Sequence, residues 1–293
     1  MLVLGLMAAG VVAFIVWPGE REPEYKGKKL SEWLRRHRDS VSEQAEAANA
    51  VRRIGTNAVP WLLKWMDYSD LPPWKERLFR SAAKYPRIRN SKLFRSALRA
   101  TESDRNFMAA AYGFEILGAD AKEAIPTLSW MLNDSTQGGK GGRAASALGQ
   151  IGREALPALL SALADESHSN RLWIAYCIGR MKDLGPDADE SLPVLIRCMK
   201  STDKALAGVA AKALGKLRPN PDLAIPALRE ALHDPDLYLR IPAITALGEY
   251  AEQARSAVPD LLEVMNDLDI GVRYCATNAL NMVEGRPPIN QFE

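Results

Sequence analysis

At 293 residues, with 47% hydrophobic side chains, 25% charged side chains and a net charge of +2, the chain has the composition of a folded protein and excludes a disordered one. Three cysteines without Cys-x-x-Cys spacing and only three histidines exclude a disulfide scaffold and supply no zinc-site or nucleophile pattern. Charge is unevenly spread: residues 75–99 hold nine Lys/Arg and one Glu, whereas 100–293 hold 19 Lys/Arg and 26 Asp/Glu, so the fold is electrically polarised along its length.

Residues 1–17, MLVLGLMAAGVVAFIVW, carry no charge. As a helix they would span roughly 26 Å, within the range for one bilayer crossing, and Trp17 suits the membrane interface. A cleaved signal peptide would need a basic start and a small-residue cleavage site; only Ala8-Ala9-Gly10 approaches the second. The expectation is an uncleaved single-pass anchor, followed by a linker over 18–30. The basic residues that follow (Arg21, Lys26, Lys28, Lys29) favour a cytoplasmic domain by the positive-inside rule. A basic leader upstream of Met1 would reverse this. Placement outside the cytoplasm is the expectation, with both orientations open.

A short helix is predicted over 31–40, with Ser31 as its N-cap. From residue 41 one phrase recurs: Ala58-Val59-Pro60, Ala124-Ile125-Pro126, Ala155-Leu156-Pro157, Ser191-Leu192-Pro193, Ala224-Ile225-Pro226 and Ala257-Val258-Pro259. The prolines are 66, 31, 36, 33 and 33 residues apart. A fixed period in this range marks a stacked repeat, and the double gap predicts a degenerate copy at 74–100. The unit over 141–167 shows the logic. Ala144, Ala145, Ala147, Leu148 and Ile151 share one face of a first helix, and Gly152 suits the left-handed position that ends it. Pro157 opens a second helix, and Leu156, Leu159, Leu160 and Leu163 form its stripe. The small residues of AASALG, AAKALG and AITALG let neighbouring first helices approach. About seven helix pairs over 41–284 are predicted, ending in a lone capping helix at 270–283 and a tail at 285–293.

Paired helices, A-[ILV]-P opening the second, AAxALG in the first and an Asp shortly before an Arg together resemble HEAT repeats of the short bacterial type. Asp165…Arg171, Asp234/Asp236…Arg240 and Asp267/Asp269…Arg273 carry the last feature. The resemblance implies an all-α fold, a right-handed α-α superhelix, in which these Asp and Arg residues form a structural ladder along the stack. The unit at 203–233 departs, with Lys204 and Ala207 near the Arg position, and puts the ladder in doubt there. The hydrophobic start followed by EPEYKGKKLSEWL is similar to membrane-anchored bacterial HEAT-repeat proteins.

No catalytic residue, metal site or cofactor is predicted. HEAT-like deoxyhypusine hydroxylases hold iron through His-Glu pairs, and none of His37, His168 and His233 begins one. A bilin-lyase-like enzyme is the minor alternative, with nothing here to select a tetrapyrrole. QGGKGGR (137–143) lacks phosphate-loop spacing, and the carboxylates of 186–190 lack EF-hand spacing. The cysteines Cys177, Cys198 and Cys275 read as buried thiols, with a Cys177–Cys198 disulfide open to an exported protein.

Two surface features remain. Arg77, Arg80, Lys84, Arg87, Arg89, Lys92, Arg95 and Arg99 are interleaved with Phe79, Tyr85 and Phe94. That pattern reads either as the solvated face of a degenerate repeat or as a grip on anionic lipid, acidic protein or nucleic acid. Trp61 and Trp65 sit four apart on one second helix, and read either as a partner hot spot or as a seal on the end of the stack. The functional expectation is a non-catalytic, monomeric, membrane-tethered scaffold that binds a protein partner through its second helices. The candidate contacts are Trp61, Lys64, Trp65, Trp130, Arg197 and Arg229. Nucleic-acid or anionic-lipid binding through 75–99 is the alternative.

Overall fold

The computed structural model describes residues 21–35, 41–66, 102–134 and 139–287. The anchor at 1–17, the degenerate repeat at 74–100 with its basic side chains, and His37 lie outside them. No described helix is long and apolar enough to cross a membrane.

The expected linker is in part structured. Strands β1 (Glu24–Tyr25) and β2 (Lys28–Lys29) pair antiparallel around Lys26-Gly27, both at positive φ, the geometry of a tight two-residue hairpin turn. The hairpin delivers the chain directly into α1 (Leu30–Arg35), so the helix starts one residue earlier than predicted. Ser31 is not its N-cap: the Glu22 carboxylate accepts the Ser31 amide proton, and Pro23 O accepts that of Leu30. Leu30 and Leu34 are fully buried and Trp33 nearly so, its Nε1 donating to Tyr25 O at 3.1 Å.

Beyond this the chain is an α solenoid. The first helices are α2 (Val41–Ile54), α4 (Glu102–Leu117), α6 (Lys140–Ile151), α8 (Arg171–Ile178), α10 (Lys204–Leu217) and α12 (Leu237–Glu249). Their second helices are α3 (Val59–Met66), α5 (Ile125–Asn133), α7 (Leu156–Ala164), α9 (Leu192–Met199), α11 (Pro221–Ala231) and α13 (Val258–Val264). The lone helix α14 (Ile270–Val283) follows, with the predicted bounds. In most units a 3-10 turn joins the pair and the recurrent proline occupies the first turn of the second helix, where its missing N–H has no intrahelical acceptor. The unit of α10 and α11 differs: α11 begins earlier, behind Asn220, and carries Pro226 inside it.

First helices pack on first helices along the stack, from α4 through α6, α8, α10 and α12 to α14. Their leucines and alanines form one continuous core from Leu30 to Val283. Across the 67–101 interval, α2 and α3 pack directly on α4, and a methyl group at Gly113 would lie 2.6 Å from Leu62 Cδ2.

The glycine of each A-L-G does not end its helix. A Cβ at Gly215 would stand 2.7 Å from Ala246 Cα, one at Gly248 3.0 Å from Ala279 Cα, and one at Gly179, in the matching place of the α8 unit, 2.8 Å from Ala213 Cα. These glycines are where consecutive first helices touch backbone to backbone. The chain turns further on instead, at Gly152 (φ 94°) and, in the later units, at Asp183, Arg218 and Ala251, all at positive φ.

Candidate functional site

The second helices of a paired stack face one side, and their solvent-facing positions make a row. Four residues after each proline the row reads Lys64, Trp130, Ser161, Arg197, Glu230 and Glu263, each within the last turn of its helix. It passes from a cation and an aromatic at one end to two carboxylates at the other. The alternation with buried leucines one and two positions earlier or later is what α-helical periodicity demands once the stripe of Leu62, Leu128, Leu159, Leu195, Leu228 and Leu261 faces the core.

Trp130 stands out in that row. It is 62% exposed, the largest side chain so presented. Lys140, at the start of the next first helix, is almost completely buried and sets its Nζ 4.6 Å from the Trp130 ring centroid and 3.5 Å from Asp134 Oδ2. The ring is thus held against a fixed cation while its other face meets solvent. Lys64 is exposed and lies with its Nζ 4.9 Å from the Trp61 centroid. Trp61 and Trp65 themselves are only half-buried and pack against the core.

The other two predicted contacts are engaged within the stack. Arg229 Nε pairs with Asp260 Oδ2 of the following unit, and Arg197 donates to Ala164 O of the preceding one at 3.2 Å. Each guanidinium is bonded to a neighbouring unit, because the period of about 33 residues sets one second helix beside the next.

Of the residues expected to form an Asp/Arg ladder, Arg240 and Asp267 make one Asp/Arg pair between units, at 3.3 Å. Where the sequence puts the ladder in doubt, Lys204 bridges Asp234 at 2.7 Å and takes the place of the absent arginine. Asp165 and Arg171 do not pair with one another. Asp165 accepts both the amide and the hydroxyl of Ser167, which hold its carboxyl below the usual carboxylate range, while Arg171 donates to Leu163 O and to Cys198 Sγ. Asp236 and Asp269 cap α12 and α14, accepting from Tyr238 N and Val272 N. Arg273 donates to Asp267 O and Leu268 O.

The remaining chemistry is accounted for by packing. His168 accepts from Asn170 N at Nδ1, so that Nε2 donates back to Leu132 O across 36 residues. Cys177 and Cys198 are separate buried thiols, and burial raises both, Cys177 to about 11. Among the described residues no three His, Cys, Asp or Glu side chains are grouped to hold a metal ion. The loops at 139–143 and 185–191 serve as the N-terminal turn of α6 and a 3-10 turn before α9.

The family described as HEAT repeats matches residues 125–215, 156–248 and 225–288, together more than half of the chain. No curated protein matches it. Among solved structures, the crystal structure of an engineered protein aligns with 87% of this chain and 96% of its own, at 18% identity and a TM-score of 0.41.

Proposed function

The chain belongs to the HEAT-repeat family, and from that premise we propose that it is a non-catalytic scaffold, tethered to a membrane by residues 1–17, that binds a protein partner along its second-helix side. Stacked helix pairs present extended surfaces in which affinity is distributed over several units. The observation that supports this reading is Trp130: a tryptophan most of whose ring meets solvent, backed by a buried lysine, toward the cationic end of the row of second-helix side chains. Large, rigid aromatics of this kind dominate protein interfaces.

A photo-crosslinking residue at position 130 in living cells tests it, with the same residue at the first-helix position Thr245 as control. Crosslinks to one protein from position 130 alone support the reading. Crosslinks from 130 to nucleic acid or lipid, or equal yields from both positions, contradict it. The tether is tested separately by carbonate extraction of membranes, where release of the full chain into the soluble fraction would refute it. The same membranes, as intact and lysed spheroplasts exposed to protease, report on which side the stack lies.

The charge of residues 75–99 favours a second reading, in which that segment holds an anionic surface or a nucleic acid. Reversal of Arg87, Arg89, Lys92 and Arg95 to Glu distinguishes the two: it abolishes a salt-sensitive interaction under the second reading and leaves position-130 crosslinking unchanged under the first.

A further inference from the structure

On the opposite, first-helix side, α8 and α10 enclose an open groove of about 480 Å³. Its floor is made of apolar groups, Ala175, Gly179, Val209 and Ala213, and at its base the two helices touch, since a methyl group at Gly179 would collide with Ala213. Its rim carries Tyr176, Arg180, Lys212 and Lys216 and no carboxylate. Lys216 is bridged at 2.8 Å to Glu249 in the next unit. Lys212 is exposed with no described carboxylate paired to it, and Arg180 leans on Tyr176, its guanidinium 5.6 Å from the ring centroid and 3.4 Å from the hydroxyl.

The aromatic wall is rigid. Trp173 stacks on Tyr176 with ring centroids 5.0 Å apart, and its Nε1 is pinned by Gly142 O at 2.9 Å and Ser146 Oγ at 3.0 Å. Both rings nevertheless remain about two-fifths exposed. Trp173 and Tyr176 fall three residues apart on α8, Arg180 follows in the turn just beyond its end, and Lys212 and Lys216 lie one turn apart on the facing helix. An exposed aromatic pair that has already lost its rotameric freedom, beside two cations with which no described carboxylate pairs, is arranged to bind something apolar and negatively charged at a low entropic cost.

We propose that this groove binds an acidic peptide segment of a protein partner, with an apolar side chain of the segment seated on the Ala175/Val209/Ala213 floor and its carboxylates on Arg180 and Lys212. Charge selects this occupant over longer polyanions. The groove is a local positive site in a part of the chain, residues 100–293, whose charges sum to −7, so a short acidic segment gains the nearby cations while a nucleic acid or an anionic bilayer laid across these units also meets their net negative charge. The volume suits one or two side chains, and the apolar floor offers nothing to a phosphate. This site lies on the side away from the second-helix row, so it goes beyond the function proposed above and stands or falls independently of it.

The test is fluorescence anisotropy of the full chain in mild detergent with a fluorescein-labelled decapeptide of aspartates and glutamates carrying two phenylalanines. A neutral peptide of the same length, oligodeoxythymidine and phosphatidylglycerol vesicles serve as competitors. Binding of the acidic peptide is expected, weakened at least tenfold by the double reversal Arg180→Glu/Lys212→Glu and about tenfold by Tyr176→Ala. These are exposed side chains, and circular dichroism of the variants verifies that the helices persist. Three results would overturn the proposal: no acidic-peptide binding at millimolar concentration, binding indifferent to the double reversal, or displacement of the peptide from Arg180 and Lys212 by the oligonucleotide or vesicles at lower concentration than by unlabelled peptide.

Discussion

Lys204 Nζ lies 2.7 Å from Asp234 Oδ2, thirty residues further along the chain, and joins the start of α10 to the loop that leads into α12. The Asp234 carboxyl is held below the usual carboxylate range, first by the Lys204 hydrogen bond and then by the Asp236 amide, with burial acting against them. A carboxyl whose pKa is lower in the folded state contributes stability above its unfolded value of about 3.9, and that contribution fades as the pH falls through the lower folded value. Lys204→Ala is expected to destabilise the stack by about 1 kcal/mol at pH 7, since the pair is only partly shielded from water. Thermal melts by circular dichroism should show the gap to wild type closing below about pH 4. A gap of constant size down to pH 2 would show that the bond to Asp234 is not its source.

Gly208 meets the backbone of the next unit: a Cβ there would stand 1.9 Å from Tyr238 O, an atom that cannot rotate away. Gly208→Ala is therefore expected to cost about 3 kcal/mol by forcing α10 and α12 apart. Gly149→Ala is the control. Its Cβ would meet Cys177 Cβ at 3.4 Å, an ordinary contact, and the helix gains up to about 1 kcal/mol from losing a glycine. Similar melting temperatures for the two variants would contradict the backbone contact.

Tyr250 is buried and its hydroxyl donates to Pro219 O at 2.9 Å, 31 residues earlier. Tyr250→Phe leaves that carbonyl without its donor and is expected to cost about 1–1.5 kcal/mol in urea-induced unfolding. An unchanged midpoint would mean that water replaces the phenol.

Burial places the Cys177 thiol at about 11 and raises those of Cys198 and Cys275. At pH 8 only about a thousandth of a thiol with that pKa is thiolate. A disulfide-exchange reagent should label Cys177 and Cys198 at the rate of unfolding, with half-buried Cys275 reacting first, and all three cysteines should react at once in denaturant. Rapid labelling of Cys177 in the native protein would refute its burial.

Trp130→Ala removes an exposed ring and its contact with the Lys140 ammonium. Stability should fall by no more than about 1 kcal/mol, whereas capture of a second-helix partner should drop at least tenfold. A large loss of stability with unchanged capture would make Trp130 a structural residue.

The repeat was legible because it is written locally. A proline in a first turn, leucines at helical spacing and small residues in A-L-G each mark a helix or its buried stripe from neighbouring residues alone; the structure keeps the proline in the first turn of most second helices and A-L-G within α6, α10 and α12. The rungs between units were less so. Lys204 works in place of an arginine because it starts three residues earlier on its helix and reaches the same aspartate, which a residue-by-residue reading of the motif does not reveal. That the small residues of A-L-G let first helices approach was legible; which backbone each glycine meets, Ala246 for Gly215 and Ala279 for Gly248, was not, because the partner lies in the next unit.

From its sequence alone this protein is a stack of paired helices with a fixed period, because local propensity and periodic burial need no knowledge of distant residues. Tertiary structure alone decided that the 41–66 pair packs directly on the 102–133 pair, that Arg197 and Arg229 are tied to neighbouring units, and that Trp130 and the Trp173–Tyr176 pair remain exposed. Exposure of an aromatic side chain is set by what the next unit places over it, and bonding of a charged one by which partner the superhelical stacking brings within reach.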